Sequence, residues 1–74
     1  MGKQLNYQDG RELFVKKLCK LMNERNLSCQ YLSSKIKKNT GYINRIINGK
    51  TDPSFEVLFD IASVLKIPVS ELFE

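Results

Sequence analysis

The chain has no histidine and no tryptophan, and only two prolines, two cysteines and four glycines among its 74 residues. Without histidine, the commonest general base near neutral pH is missing, so an enzyme is not the expectation. Cys19 and Cys29, with no histidine beside them, make no zinc site of a usual kind. No apolar run is longer than Leu13-Phe14-Val15, far short of a bilayer span. The first residues carry no basic-then-apolar leader pattern, so export is not expected. Both thiols are therefore expected to stay reduced, in the cytoplasm. No cofactor and no small-molecule ligand is indicated.

What is present is enough to fold: 42% of the residues are hydrophobic, and a chain this short makes one domain with one small core. The net charge of +4 is modest, but its placement is uneven. Between residues 27 and 50 stand Lys35, Lys37, Lys38, Arg45 and Lys50, with no acid. Between residues 51 and 74, Asp52, Glu56, Asp60, Glu71 and Glu74 face a single Lys66. A cationic middle beside an anionic end favours one face for a polyanion.

The periodicity is helical throughout. Residues 1–8 show no pattern and are expected to be a flexible N-terminus, with the domain running over 9–74. Asp9 is the expected N-cap of a first helix, with Glu12 as its capping-box partner. Phe14, Leu18, Leu21, Met22 and Arg25 recur at helical spacing, and Asn26 suits the left-handed residue that ends the helix. Ser28 is expected to cap a second helix whose inner side carries Cys29, Leu32, Ser33 and Ile36. Asn39 is expected to cap a third helix, stopped by Gly49 after Asn48. A fourth starts near Pro53 or Ser54, with Phe55, Leu58, Ile61, Ala62 and Leu65 as its inner stripe. Pro68 breaks the chain, and Ser70 is expected to cap a last turn bearing Leu72 and Phe73. The fold class is therefore all-α: a compact bundle of four short helices plus a C-terminal helical turn. Helices this short hold only by packing on one another.

The third helix carries the chemistry. At about 100° per residue, Thr40, Gly41, Asn44, Arg45 and Asn48 share an arc of about 140°, while Tyr42, Ile43, Ile46 and Ile47 take the rest. A solvated helix face usually mixes Lys with Glu. This one is short, hydrogen-bonding and free of acid. Its side chains are those that read base edges: Arg forks onto guanine, Asn pairs with adenine, and the Thr methyl touches thymine. Lys37, Lys38 and Lys50 flank the arc, where cations meet phosphates.

The string Leu27-Ser28, Leu32, Gly41-Tyr42-Ile43-Asn44-Arg45-Ile46, Asn48-Gly49-Lys50, Pro53-Ser54, Leu58, Ile61-Ala62 and Leu65 resembles the Xre/Cro-type helix-turn-helix family of phage and bacterial repressors. The resemblance runs from about Leu13 to Leu72. It implies a sequence-specific regulator that binds double-stranded DNA with its third helix in the major groove, commonly as a homodimer. On that pattern base contacts fall to Thr40, Gly41, Asn44 and Arg45. Backbone contacts fall to Gln30, Lys37, Lys38, Tyr42, Asn48, Lys50 and Thr51.

The chain departs from the family pattern in three places. Lys37 stands where glycine is common, so either Lys37 is left-handed or Asn39 takes the positive φ. Cys29 stands where glutamine usually braces a phosphate, leaving that role to Gln30 or to the helix amides. Met22 and Ile47 replace an Arg–Glu pair, an exchange of buried charges for packed side chains. A second function also fits the residues: a protein-interaction module, antitoxin-like or anti-repressor, on the same fold. The apolar Val57, Phe59, Val64 and Phe73 are expected to face such a partner. In a homodimer the expected seam is Val64, Leu72 and Phe73.

Overall fold

A computed structural model describes residues 6–74. The described residues form α1 (Tyr7–Glu24), α2 (Cys29–Lys35), α3 (Tyr42–Ile47), α4 (Phe55–Leu65) and a closing 3-10 turn (Val69–Phe73), with no strand among them. The all-α bundle is as expected, and α2 with α3 forms its helix-turn-helix.

α1 begins earlier than its pattern suggested. Asn6, not Asp9, is the N-cap: its side-chain oxygen accepts from the Asp9 amide at 2.8 Å, leaving Asp9 in the first turn. Asn and Asp cap about equally well, so the earlier one gains an extra turn. Tyr7 and Gln8 are therefore helical; residues 1–5 of the expected flexible segment lie outside the described residues. Phe14, Leu18, Leu21 and Met22 are buried, whereas Arg25 sits exposed as the C-cap.

All four helices end by the same closure. A left-handed residue follows the helix, and two backbone amides reach back to carbonyls of the last turn, the Schellman arrangement. Asn26 (φ 56°), Lys37 (φ 64°), Gly49 (φ 78°) and Lys66 (φ 59°) hold these four positions. At the end of α2, the Lys38 amide donates to the Ser33 carbonyl at 2.9 Å and Lys37 to Ser34 at 3.0 Å. The turn between α2 and α3 is thus made by Lys37 itself, at the cost of about 1 kcal/mol that a glycine would not incur.

α3 is shorter than expected. Its N-cap is Gly41, which provides no side-chain bond, and Asn39 does not cap it. The Asn39 side chain instead accepts from Arg45 Nη1 at 3.4 Å. The capping oxygen comes from the neighbouring helix: buried Ser33 accepts the Ile43 amide at 3.0 Å while donating to the Cys29 carbonyl at 2.7 Å. One hydroxyl so stitches α2 to the start of α3 and satisfies a first-turn donor that would otherwise be buried and bare.

α4, expected to start near Pro53 or Ser54, has Ser54 as its N-cap, accepting from the Val57 amide. The buried side runs through Val57, Ile61, Ala62 and Leu65, with Leu58 half-buried. Phe55, expected in the inner stripe, is instead 83% exposed. Val57, expected to face outward, is buried instead. The two are about 200° apart around the helix, so only one could point inward, and Val57 is in line with Ile61 and Leu65. Ser70 lies within the 3-10 turn rather than capping it, and Pro68 precedes the turn. Leu72 is fully buried, which removes it from any intermolecular seam; Val64 is half-buried. Phe73 stacks on Phe14, ring centroids 5.6 Å apart, closing the bundle over α1.

Candidate nucleic-acid interface

Ile43 and Ile46 are buried and Ile47 is half-buried against the same core as Met22. With that side fixed, Asn44, Arg45 and Asn48 are exposed along α3. Thr40 is exposed and Gly41 half-buried in the turn that leads into the helix, rather than in the helix itself.

The ridge is held in shape by its own members. Asn48 Nδ2 donates to both the carbonyl and the side-chain oxygen of Asn44, each at 2.9 Å. The Arg45 guanidinium lies 5.8 Å from the centre of the half-buried Tyr42 ring, and Lys38 Nζ lies 5.4 Å from the same centre. Two cations thus share one aromatic plate at the entrance to α3. Arg45 also comes close to Gly41: a Cβ there would sit 3.4 Å from Arg45 Nη1. A side chain at that position would touch the guanidinium.

Around the ridge, Gln30 on α2, Lys37 and Lys38 in the turn, and Lys50 after α3 are exposed. Thr51 is half-buried. Of the sites proposed from sequence, the fold brings Thr40, Gly41, Tyr42, Asn44, Arg45 and Asn48 together in one turn and helix. Lys38 joins them through the Tyr42 ring.

Sequence reasoning missed Arg11. Its Nη2 donates to the Ile46 carbonyl at 3.1 Å and to the Thr51 carbonyl at 3.0 Å, and its Nε pairs with Asp52 Oδ1 at 2.9 Å. Tyr7 donates its hydroxyl to the other Asp52 oxygen. One guanidinium therefore ties α1 to the end of α3 and to the loop that carries Lys50. No sequence pattern marks it, because its partners lie 35 to 41 residues away. Bonds from Tyr7, then from Arg11, hold the Asp52 carboxyl below the usual carboxylate range; the same bond to Asp52 raises the Tyr7 hydroxyl. The acid that follows the ridge in sequence is thus neutralised locally by Arg11.

Cys19 is exposed and Cys29 half-buried, both as free thiols, and partial burial pushes the Cys19 thiol up. Among the described residues no cluster of Cys, Asp and Glu could hold a metal ion, and no helix is long and apolar enough to cross a membrane.

Compared with known families, the sequence model of the helix-turn-helix family matches residues 16–72, most of the chain. No curated protein and no solved structure matches it.

Proposed function

The chain belongs to the Xre/Cro-type helix-turn-helix family, and from that membership we propose that it is a sequence-specific transcriptional regulator that seats α3 in the major groove of double-stranded DNA. The family is one of DNA-binding regulators, not of enzymes. In this reading Thr40, Asn44 and Arg45 contact base edges, and Gly41 lets the backbone approach closely. Gln30, Lys37, Lys38, Tyr42, Asn48, Lys50 and Thr51 contact the phosphodiester backbone and fix the register. The protein works in the cytoplasm as a repressor-like homodimer, each copy reading one half-site.

The single observation that carries the reading is the ridge of α3: exposed, free of acid, and anchored from beneath by buried Ile43 and Ile46. Anisotropy titration against random duplex tests the general property, and affinity should fall steeply as salt rises. In vitro selection of bound duplexes then tests the specific one, with a palindromic consensus as the expected outcome. No binding at low salt would sink both parts of the reading. Binding without any consensus would leave only non-specific association.

The exposed Phe55 and Phe59 favour a second reading, in which the fold serves as a protein-interaction module with weak or no DNA binding. The same titration separates the two.

A further inference from the structure

We propose that Arg11 is itself a DNA contact: reaching past Gly49, its Nη1 donates to a phosphodiester oxygen at the end of α3. This rests on the DNA-binding reading above and adds α1 to the footprint. Arg11 lies outside residues 16–72, so the family match assigns it no such role.

A guanidinium holds its N–H donors in a rigid fork. Arg11 uses three of them inside the fold: Nε on Asp52, and Nη2 on the carbonyls of Ile46 and Thr51. Nη1 makes no hydrogen bond among the described residues. It is not sealed away either, because no buried side-chain nitrogen among those residues lacks a partner, and the Arg11 side chain is 16% exposed. The three bonds already fix the side chain, so an acceptor at Nη1 would cost little further side-chain freedom.

The surroundings of Nη1 say which acceptor. A Cβ at Gly49 would stand 3.7 Å from it, and glycine leaves that approach open. Gly49 stands between Asn48 and the exposed Lys50, both phosphodiester contacts in the function proposed above. Arg11 also lines a cleft between α1 and the end of α3 with Glu12, Val15, Lys16 and Ile47. The exposed Lys16 offsets the exposed Glu12 there. Asp52 is met at Nε, across the guanidinium from Nη1, so the carboxylate does not occupy the open side. The anion that a DNA strand presents beside Lys50 is a phosphate, and arginine suits its geometry. Such a contact fixes register and reads no base. Gly49 thus serves twice: its left-handed φ of 78° closes α3, and its missing side chain clears the path to Nη1.

Arg11→Met combined with Asp52→Asn removes one charge of each sign and keeps the net charge at +4. Anisotropy titrations of this variant and the wild type, on random and on selected duplex across a salt series, test the contact. The slope of log affinity against log salt should be shallower by about one in the variant. Both duplexes should lose affinity by the same factor, about three- to tenfold at low salt. Circular dichroism and urea melts set a temperature at which the variants are folded. Because Arg11 also braces the loop, Gly49→Asn is the second variant. Asparagine tolerates the left-handed position, leaves the three Arg11 bonds in place and sets a side-chain oxygen before Nη1. It should flatten the salt dependence by the same amount. A wild-type slope in either folded variant overturns the proposal, and so does a loss confined to the selected duplex. A wild type that binds no duplex brings down the DNA-binding reading and this contact together. Normal wild-type binding with unchanged variant slopes brings down the contact alone.

Discussion

Arg11 in α1 and Ile46 in the last turn of α3 are joined by a hydrogen bond of 3.1 Å from guanidinium to backbone carbonyl. The same guanidinium reaches Thr51, so the helix end and the following loop hang from one side chain of α1. Arg11→Met should cost about 2 kcal/mol, the scale of charge-assisted bonds lost from a largely covered site. Arg11→Lys should recover little of it, because a point charge cannot fork onto two carbonyls and a carboxylate. Urea denaturation of both variants measures this; full rescue by lysine would mean that charge alone matters.

Ser33→Ala removes the oxygen that accepts the Ile43 amide and leaves that donor buried without a partner. A loss of about 1–3 kcal/mol is expected, large for the deletion of one hydroxyl. Amide hydrogen exchange should accelerate first at Ile43, since the start of α3 has no side-chain cap of its own.

Lys37→Gly should stabilise the fold by up to about 1 kcal/mol, because the left-handed position costs glycine no Cβ clash. Lys37→Ala should not, since alanine keeps the clash. If Lys37 also meets a phosphate, the glycine variant will melt higher yet bind DNA more weakly, with a shallower salt dependence. Thermal melts and salt titrations on the same sample read both effects.

Acid should weaken the fold through Asp52. Its carboxyl is lowered in the folded state, so the unfolded chain takes up the proton more readily. The stability it contributes is present above about pH 4 and is lost as pH falls through the folded value. Between about pH 5 and pH 2 the melting temperature of the wild type should fall further than that of Asp52→Asn. Equal slopes would mean that the bonds Asp52 accepts from Tyr7 and Arg11 add nothing.

Arg45→Ala should weaken a selected site by about 1–3 kcal/mol while changing random-duplex affinity far less. An equal loss on both would reassign Arg45 to the phosphate backbone.

The parts legible in the sequence were those written in local spacing. The serine cap at Ser28, the start of α4 near Ser54 and the left-handed Asn26 follow from residues within one turn of one another. The polar arc of α3 was legible too, because its three isoleucines leave only one way to turn. The face of α4 was not: Phe55 and Val57 are both apolar, and only tertiary packing chooses between them. The starts of α1 and α3 differ from their sequence patterns for different reasons. At α1 two good caps competed, whereas at α3 the capping oxygen arrives from another helix, ten residues away in sequence. Arg11 lay furthest from reach, since its fork is assembled by the fold alone.

One consequence follows from how α3 is terminated. Its opening donor is met by Ser33, its closing carbonyls by Gly49, Lys50 and Arg11, and its underside by isoleucine. Most of those duties are discharged by main chain or by side chains off the ridge, with Asn48 adding one bond to the Asn44 carbonyl. The side-chain bonds of Asn44 and Arg45 run to Asn48 and Asn39, within the ridge and its turn, so exchanging Thr40, Asn44 and Arg45 should alter what is recognised without unfolding the scaffold. The architecture separates durability from preference, so new specificities lie a few surface substitutions away.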